Sequence, residues 1–388
     1  MPTRRLYHDD AMLRRFDATV LAHATHKDRP AIVLDATAFY PEAGGQLGDR
    51  GTLGGIAVID TQELDDGTII HVVEGALPAV GEHLTGELDW ARRRQHMAQH
   101  TAQHLLSGAL LDRAQAPTAS ARLGESALTI DAARDRIPEA ELAAAEDLAN
   151  DLIDDDLAIR AWFPMPEELA QLKLRRDPKV SADIRVVAIG DFDYSPCGGT
   201  HATHTAQLGA IRITGAERYK GMTRVTFTAG RRARAELFTR DQVLRQLATR
   251  FSCGPAEVPA AIDKLVRDAD ATAAEVTALR GRLAGAIASS FPGEGAVIAA
   301  LPGDPELLRG VAAKLVAAGR DALLAAPDET GATVMLQRAA GSSLDCGALW
   351  KKLAATAGGK GGGRAERAEG RLATAVANWA ETVANHLG

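Results

Sequence analysis

Cysteine is scarce in this chain of 388 residues, with three in all. Cys197, Cys253 and Cys346 are odd in number and widely scattered, which argues against a disulfide framework and for a reducing cytoplasm. Long apolar runs are missing too. None approaches the length that crosses a bilayer, and no apolar stretch follows Arg4 and Arg5, so neither a membrane partner nor a secretory signal is expected. Positive charge is not in excess either. The net charge is −7, so any hold on nucleic acid must come from local basic density rather than the total. Candidate patches are Arg92 to Arg94, then Arg218, Lys220, Arg224, Arg231 and Arg232, then Lys351, Lys352, Lys360, Arg364 and Arg367. The apolar and charged fractions are ordinary for a globular protein, and the length calls for two or three domains.

Two short strings carry most of the chemistry. His100-Thr101-Ala102-Gln103-His104 and Cys197-Gly198-Gly199-Thr200-His201 each hold two good zinc ligands four residues apart. Together they supply one thiolate and three imidazoles, a full tetrahedral set. Residues at i and i+4 share a helix face, and the run from Met97 to Leu111 is rich in helix formers and free of proline. Cys197 follows Pro196 and precedes two glycines, which favours a tight turn that brings both ligands to one point. His96 extends the helical set into a ladder of three, and His204 offers Cys197 another partner. Spacing alone does not choose among them.

Along the chain, residues 1–91 alternate short β-like runs (31–34, 56–59, 69–73) with glycine turns, which suggests a small barrel or curled sheet. A new unit begins near Trp90 with the metal helix. Strands fit 127–130, 184–187, 209–213 and 224–228, and a helix opens at Pro138-Glu139, with acidic residues in its first turn. The expected fold class is α+β. From Val258 to Leu283 apolar residues are spaced alternately by four and three, an a/d seam for an intramolecular helical hairpin or a coiled-coil linker. Residues beyond 292 read as an α/β unit, with strands at 296–301, 322–326 and 333–337. Its Gly358–Arg364 run reads either as a backbone nest for phosphate that closes on a helix or, since it lacks the final Lys-Ser/Thr of a P-loop, as a flexible linker.

The strings HTAQHLL and CGGTH resemble the two metal motifs of the editing domain of alanyl-tRNA synthetase and of its free-standing relatives, the AlaX proteins. Phe39-Tyr40-Pro41-Glu42-Ala43-Gly44-Gly45-Gln46-Leu47-Gly48-Asp49-Arg50-Gly51 resembles that family's FYPEGGGQxxDxG segment, departing at Ala43. The segment GGKGGGRAERAEG resembles the end of the DHH-associated domain of the synthetase and of the long AlaX proteins. The chain is similar to the long form from end to end, and most specifically over residues 39–201.

The resemblance implies four parts: a barrel domain at 1–91, a zinc-containing editing domain at 92–230, a helical linker at 231–292 and a tRNA-binding domain at 293–388. It implies one zinc per chain, on His100, His104, Cys197 and His201. With the barrel at the start of the sequence, no ATP-using aminoacylation domain is expected, and the expected activity is hydrolysis in trans of mischarged tRNA-Ala carrying serine or glycine. A pocket that accepts alanine cannot strongly reject either, which is why a second site has to remove them. Thr118 and Ser120 fall where the family recognises the serine hydroxyl. Gln46 and Asp49, on the glycine turn, are further pocket candidates, with turn stabilisation the stronger role for Asp49. Arg218, Lys220, Arg224, Lys360 and Arg364 are the expected tRNA contacts. Four protein ligands suit a structural zinc, so either His201 departs or the ion only orients substrate. The rival expectations are a hydrolase of another aminoacyl-tRNA and a zinc-stabilised RNA-binding module without activity. A homodimer through the linker or the last domain is the alternative to an internal hairpin.

Overall fold

The computed structural model describes residues 3–387 except 179, 375 and 377, so the expected outer domain limits, Met1 and Gly388, lie outside the described residues. It divides into two compact units, Met1–Gln246 and Leu247–Gly388. No helix among the described residues is long and apolar enough to cross a membrane.

The first unit opens with six strands: β1 (Arg15–His26), β2 (Arg29–Leu34), β3 (Gly51–Leu53), β4 (Ile56–Glu63), β5 (Ile69–Glu74) and β6 (His83–Leu88). They close into a barrel in the order β1-β2-β5-β4-β3-β6. Phe16, Ala18 and Val20 alternate inward along β1 and meet Ile32, Leu34, Leu53 and Val58 in the barrel core. That period-two burial is what one solvated face imposes on an antiparallel strand. The closed barrel resolves the choice the sequence left open between a barrel and a curled sheet.

Helix α1 (Trp90–Ala114) follows directly, its first turn capped by the Asp89 carboxylate, which accepts from the Arg92 amide. Strands β7 (Thr118–Leu123) and β8 (Leu128–Ala132) come next, then α2 (Glu139–Asp154). A second sheet holds β9 (Ile159–Trp162), β10 (Val186–Ile189) and β11 (Asp193–Pro196) in that order. The long hairpin of β12 (Ile211–Tyr219) and β13 (Met222–Ala229) joins β8 and β7 in the order β12-β13-β8-β7. Leu105, Leu106, Ala109 and Leu110 of α1 and Ala145 and Ala149 of α2 cover one face of this sheet through Leu128, Ile130, Val225 and Phe227. The middle of α1 is buried nearly all round, polar residues included. A helix of that kind is a core element, and its buried polar groups must all find partners.

Helix α3 (Gly230–Phe251) carries the chain past the first unit. In the second unit α4 (Val258–Ser290) is the expected long helix, but its seam is exposed at Ile262, Leu265, Val276, Leu279 and Leu283. It is buried at Val258, at its start, and near its C-terminal end, where Ala284 packs on Leu308 and Val311 of α5 (Pro305–Ala317). The five-stranded sheet uses β14 (Val297–Ala300), β15 (Ala322–Asp328), β16 (Gly331–Gln337), β17 (Gly359–Gly363) and β18 (Arg367–Leu372), in the order β14-β15-β16-β18-β17. Helices α6 (Cys346–Ala357) and α7 (Trp379–Leu387) complete the unit.

One expectation fails here. Gly359–Gly363 is an edge strand paired antiparallel with β18, and no helix follows it directly. The glycines serve close packing. A Cβ at Gly370 would fall inside the Trp350 indole, and one at Gly361 would meet the same ring and the β18 backbone.

Candidate metal site and cleft

The structure brings His100, His104, Cys197 and His201 together, with their ligand atoms all within 4.8 Å of one another. Cys197 Sγ lies 3.5 Å from His100 Nε2 and 3.4 Å from His201 Nε2. A tetrahedral zinc with ordinary Zn–S and Zn–N distances puts such atoms about 3.6 Å apart, so the donor set fits the ion. His96 and His204 stand outside the cluster. His204 is exposed beside Thr203, which leaves His100 and His104 as the pair taken from the ladder.

Two local features seat the Cys197 turn. The Cys197 amide donates to Arg185 O at 2.9 Å, extending the β10–β11 ladder to the ligand. Gly199 then passes so close to α1 that a Cβ there would fall inside the His100 ring. Any side chain at this point displaces a ligand.

Behind the cluster two of the three imidazoles are held by hydrogen bonds. His100 Nδ1 donates to Gln46 Oε1 at 2.7 Å, and Gln46 Nε2 donates to Thr200 Oγ1 at 2.8 Å. The Thr101 hydroxyl donates to Met97 O, so at 3.1 Å it accepts from His201 Nδ1. These bonds place the ring protons on Nδ1 and leave Nε2 lone pairs facing Cys197. His104 Nδ1 stands 3.7 Å from Asp193 Oδ2, beyond hydrogen-bond reach but close enough for charge. Arg175 Nε holds the other Asp193 oxygen at 2.6 Å. Burial opposes ionisation of Asp193, but His104 and Arg175 outweigh it and bring its pKa down to about 2. Burial and the neighbouring His100 push the His201 pKa down to about 3, which keeps it a neutral donor. Burial raises the Cys197 thiol, yet the three imidazoles prevail and hold it well below its usual range.

Beside Cys197 opens a cleft of about 640 Å³, lined by His8, Tyr40, His100, Gln103, Thr118 and Arg185 among others. A larger hollow of about 840 Å³, between α2 and β12, lies away from every one of these ligands.

The structure separates the expected pocket residues: Thr118 and Ser120 line the cleft, whereas Gln46 and Asp49 do not. Gln46 is fully buried, and both ends of its amide are spent on His100 and Thr200, so it supports the metal ligands and does not line the cleft. Asp49 is also buried. It accepts from the Tyr40 amide and from Arg93 Nε, both at 2.8 Å, and so braces the glycine turn away from the cleft.

Thr118 and Ser120 would share a face in a regular strand, but a bulge at Ala119 separates them. Ser120 opposes Asp131 and Thr118 opposes Ala132. Ser120 Oγ therefore donates to Asp131, on the face away from α1, and Thr118 Oγ1 donates to Ser107 Oγ on α1 at 2.7 Å. Gln103 Nε2 donates to the same Ser107 oxygen at 2.8 Å. Gln103 lies inside the motif the sequence singled out, yet its spacing marks it as nothing more than a helical neighbour of the ligands.

Among the expected tRNA contacts Arg224 is already engaged. Its guanidinium forks onto Asp131 at 2.7 and 2.9 Å and stacks on Tyr219. Arg218 pairs with Asp135 at the surface, and Lys220 sits exposed at the tip of the β12–β13 hairpin. Lys360 and Arg364 are exposed at and beside the edge strand β17 of the second unit.

Residues 184–226 match the family model of the threonyl and alanyl tRNA synthetase second additional domain. Residues 8–92 match that of class II (A) tRNA synthetases. Over 273 residues the chain is 36% identical to the alanyl-tRNA editing protein AlaX-L of Pyrococcus horikoshii, covering 67% of this chain and 66% of that protein. The chain belongs to the AlaX family. It is also 30% identical to the alanine–tRNA ligase of Ignicoccus hospitalis over 95% of its length, and 39% identical to that of Pyrobaculum neutrophilum over 60%. It spans 41% and 28% of those two ligases. This AlaX relative thus shares the metal-motif region, residues 184–226, with a domain found in both threonyl and alanyl enzymes.

Proposed function

We propose that the chain is a zinc-dependent deacylase of mischarged tRNA-Ala, with Ser-tRNA-Ala or Gly-tRNA-Ala as substrate. The observation that carries this reading is a complete His₃Cys donor set whose thiolate, Cys197, and first imidazole, His100, form a wall of an open cleft. A purely structural zinc has no need of a cleft at its ligands. When bound there, zinc supplies positive charge that polarises an ester carbonyl or acidifies a water.

The chain's own residues do the rest. Gln103, Ser107 and Thr118 form a hydrogen-bonded row beside the ligands, and two of the three line the cleft. A serine hydroxyl joins that row, whereas alanine offers it nothing. A site built to bond a hydroxyl penalises the substrate that lacks one. His8, whose pKa is pushed down to about 4 by burial and by the charge of Arg185, stays neutral at the cleft mouth. Residues 92–230 act as the editing domain on the barrel of 1–91. The linker at 231–292 and the 293–388 domain extend the hold on tRNA through Lys360 and Arg364, with Arg218 and Lys220 contributing from the hairpin.

Purified chain should release serine from Ser-tRNA-Ala faster than alanine from Ala-tRNA-Ala and carry about one zinc. Cys197→Ala should lose both the metal and the release. Turnover undiminished in Cys197→Ala would exclude the metal site from the reaction. Zinc binding without any release from charged tRNA would leave an RNA-binding module.

A further inference from the structure

One wall of the cleft holds polar groups that nothing in the chain satisfies. Arg185, on the segment entering β10, is 5% exposed, and its Nη1 donates to Gly199 O at 2.8 Å and Cys197 O at 3.2 Å. Its Nε has no hydrogen-bond partner, and among the described residues no carboxylate pairs with it. Tyr7 is 1% exposed, and its hydroxyl, beside the Arg5 guanidinium that pairs with Glu63, makes no hydrogen bond of normal geometry. Both residues line the cleft beside Cys197.

An unpaired buried guanidinium is among the costliest features a fold can keep, and an unbonded buried hydroxyl adds to that cost. Elsewhere in this unit the buried arginine has its acid, as Arg93 has Asp49. The contrast is chemical. Arg185 offers a planar fork with a free N–H and a full positive charge, next to a phenolic donor. That combination suits a tetrahedral oxyanion better than a neutral amide or a cation.

Building on the deacylase reading above, we propose that Arg185 and Tyr7 form the receptor for the phosphodiester on the 5′ side of the terminal adenosine of aminoacyl-tRNA. The phosphate supplies a counter-charge that no carboxylate among the described residues provides, and the Nη1 bonds to Cys197 O and Gly199 O tie its arrival to the turn that holds the Cys197 ligand. The cleft then recognises the substrate at two points, the ester at the metal and the phosphate one ribose away.

The test uses the full, zinc-loaded chain and two non-hydrolysable probes, 3′-deoxy-3′-(serylamino)adenosine with and without a 5′-phosphate, titrated by calorimetry. The wild-type chain should bind the phosphorylated probe at least about tenfold more tightly, the size of a charge-assisted bond made on a buried site. Arg185→Gln should bring that ratio to about one, and Tyr7→Phe should cut it severalfold. Tyr7→Phe removes a hydroxyl that makes no hydrogen bond of normal geometry, so a merely structural role predicts an unchanged ratio with little change in thermal stability. It therefore decides the matter even if Arg185→Gln loses its zinc. A wild-type ratio near one, with the unphosphorylated probe bound, overturns the phosphate receptor and leaves the deacylase reading standing. A full ratio retained in both variants does the same. If neither probe binds, both readings fall together.

Discussion

Two glycine-rich stretches of this protein look alike as strings and do opposite things. In the first unit Gly45 and Gly199 let backbone come close to something functional, and Gly44 supplies left-handed backbone to the turn. Gly45 has φ +90°, and a Cβ there would lie 2.7 Å from Ala121 O, while the Leu123 amide donates to Gly45 O. The turn is thereby fastened to β7, and Gln46 is delivered to His100. In the second unit Gly359, Gly361 and Gly363 lie in an extended edge strand, and their lack of side chains makes room for Trp350 and the β18 backbone. The difference lies in what approaches the glycine, a metal ligand in one case and a core indole in the other. Composition sees only the run.

Substitutions can break that comparison. Gly199→Ala should have the largest effect, because the new methyl lands in the His100 ring. Metal affinity should fall by more than about 100-fold, beyond the cost of disturbing a ligand's support alone, and metal analysis after dialysis reads it directly. Trp350→Ala should come next. The indole is 3% exposed, and its loss should destabilise the second unit by about 3–5 kcal/mol in denaturant melts, with zinc content unchanged. If zinc also drops, the two glycine regions are coupled and the contrast is false. Gly44→Ala should be the mildest. Its Cβ meets nothing within 4 Å, and only the left-handed backbone at φ +60° penalises it. About 1 kcal/mol of stability is expected to be lost with the metal retained.

What the sequence made legible follows the range of the interactions. His100, His104, Cys197 and His201 were readable because each pair is local and a helix or a tight turn fixes its geometry. The long helices and most strands were readable because their periodicity is local as well. Asp193, Thr101 and Gln46 became supports of the ligands only through contacts that sequence spacing does not encode, such as Gln46 reaching His100 across 54 residues. The Ala119 bulge was invisible because one unpaired residue leaves no mark in a short polar strand, yet it decides which face Thr118 and Ser120 present. Arg185 was passed over because an arginine opening a strand resembles any solvated end until its lack of an acid is seen. The glycine run misled for the converse reason: a nest and an edge strand can be written with the same residues.

The metal ligands also bear on how the first unit assembles. His100 and Cys197 stand 97 residues apart in the chain. A crosslink closing a loop of that length removes about 4–5 kcal/mol of freedom from the unfolded chain. Coordination at this cluster would therefore work as a clasp between α1 and the β11 turn, drawing together segments that a growing chain makes long after one another. Loading with metal and completing the fold would then become a single event, so a chelator present during refolding should trap a chain with its helix formed and its clasp open.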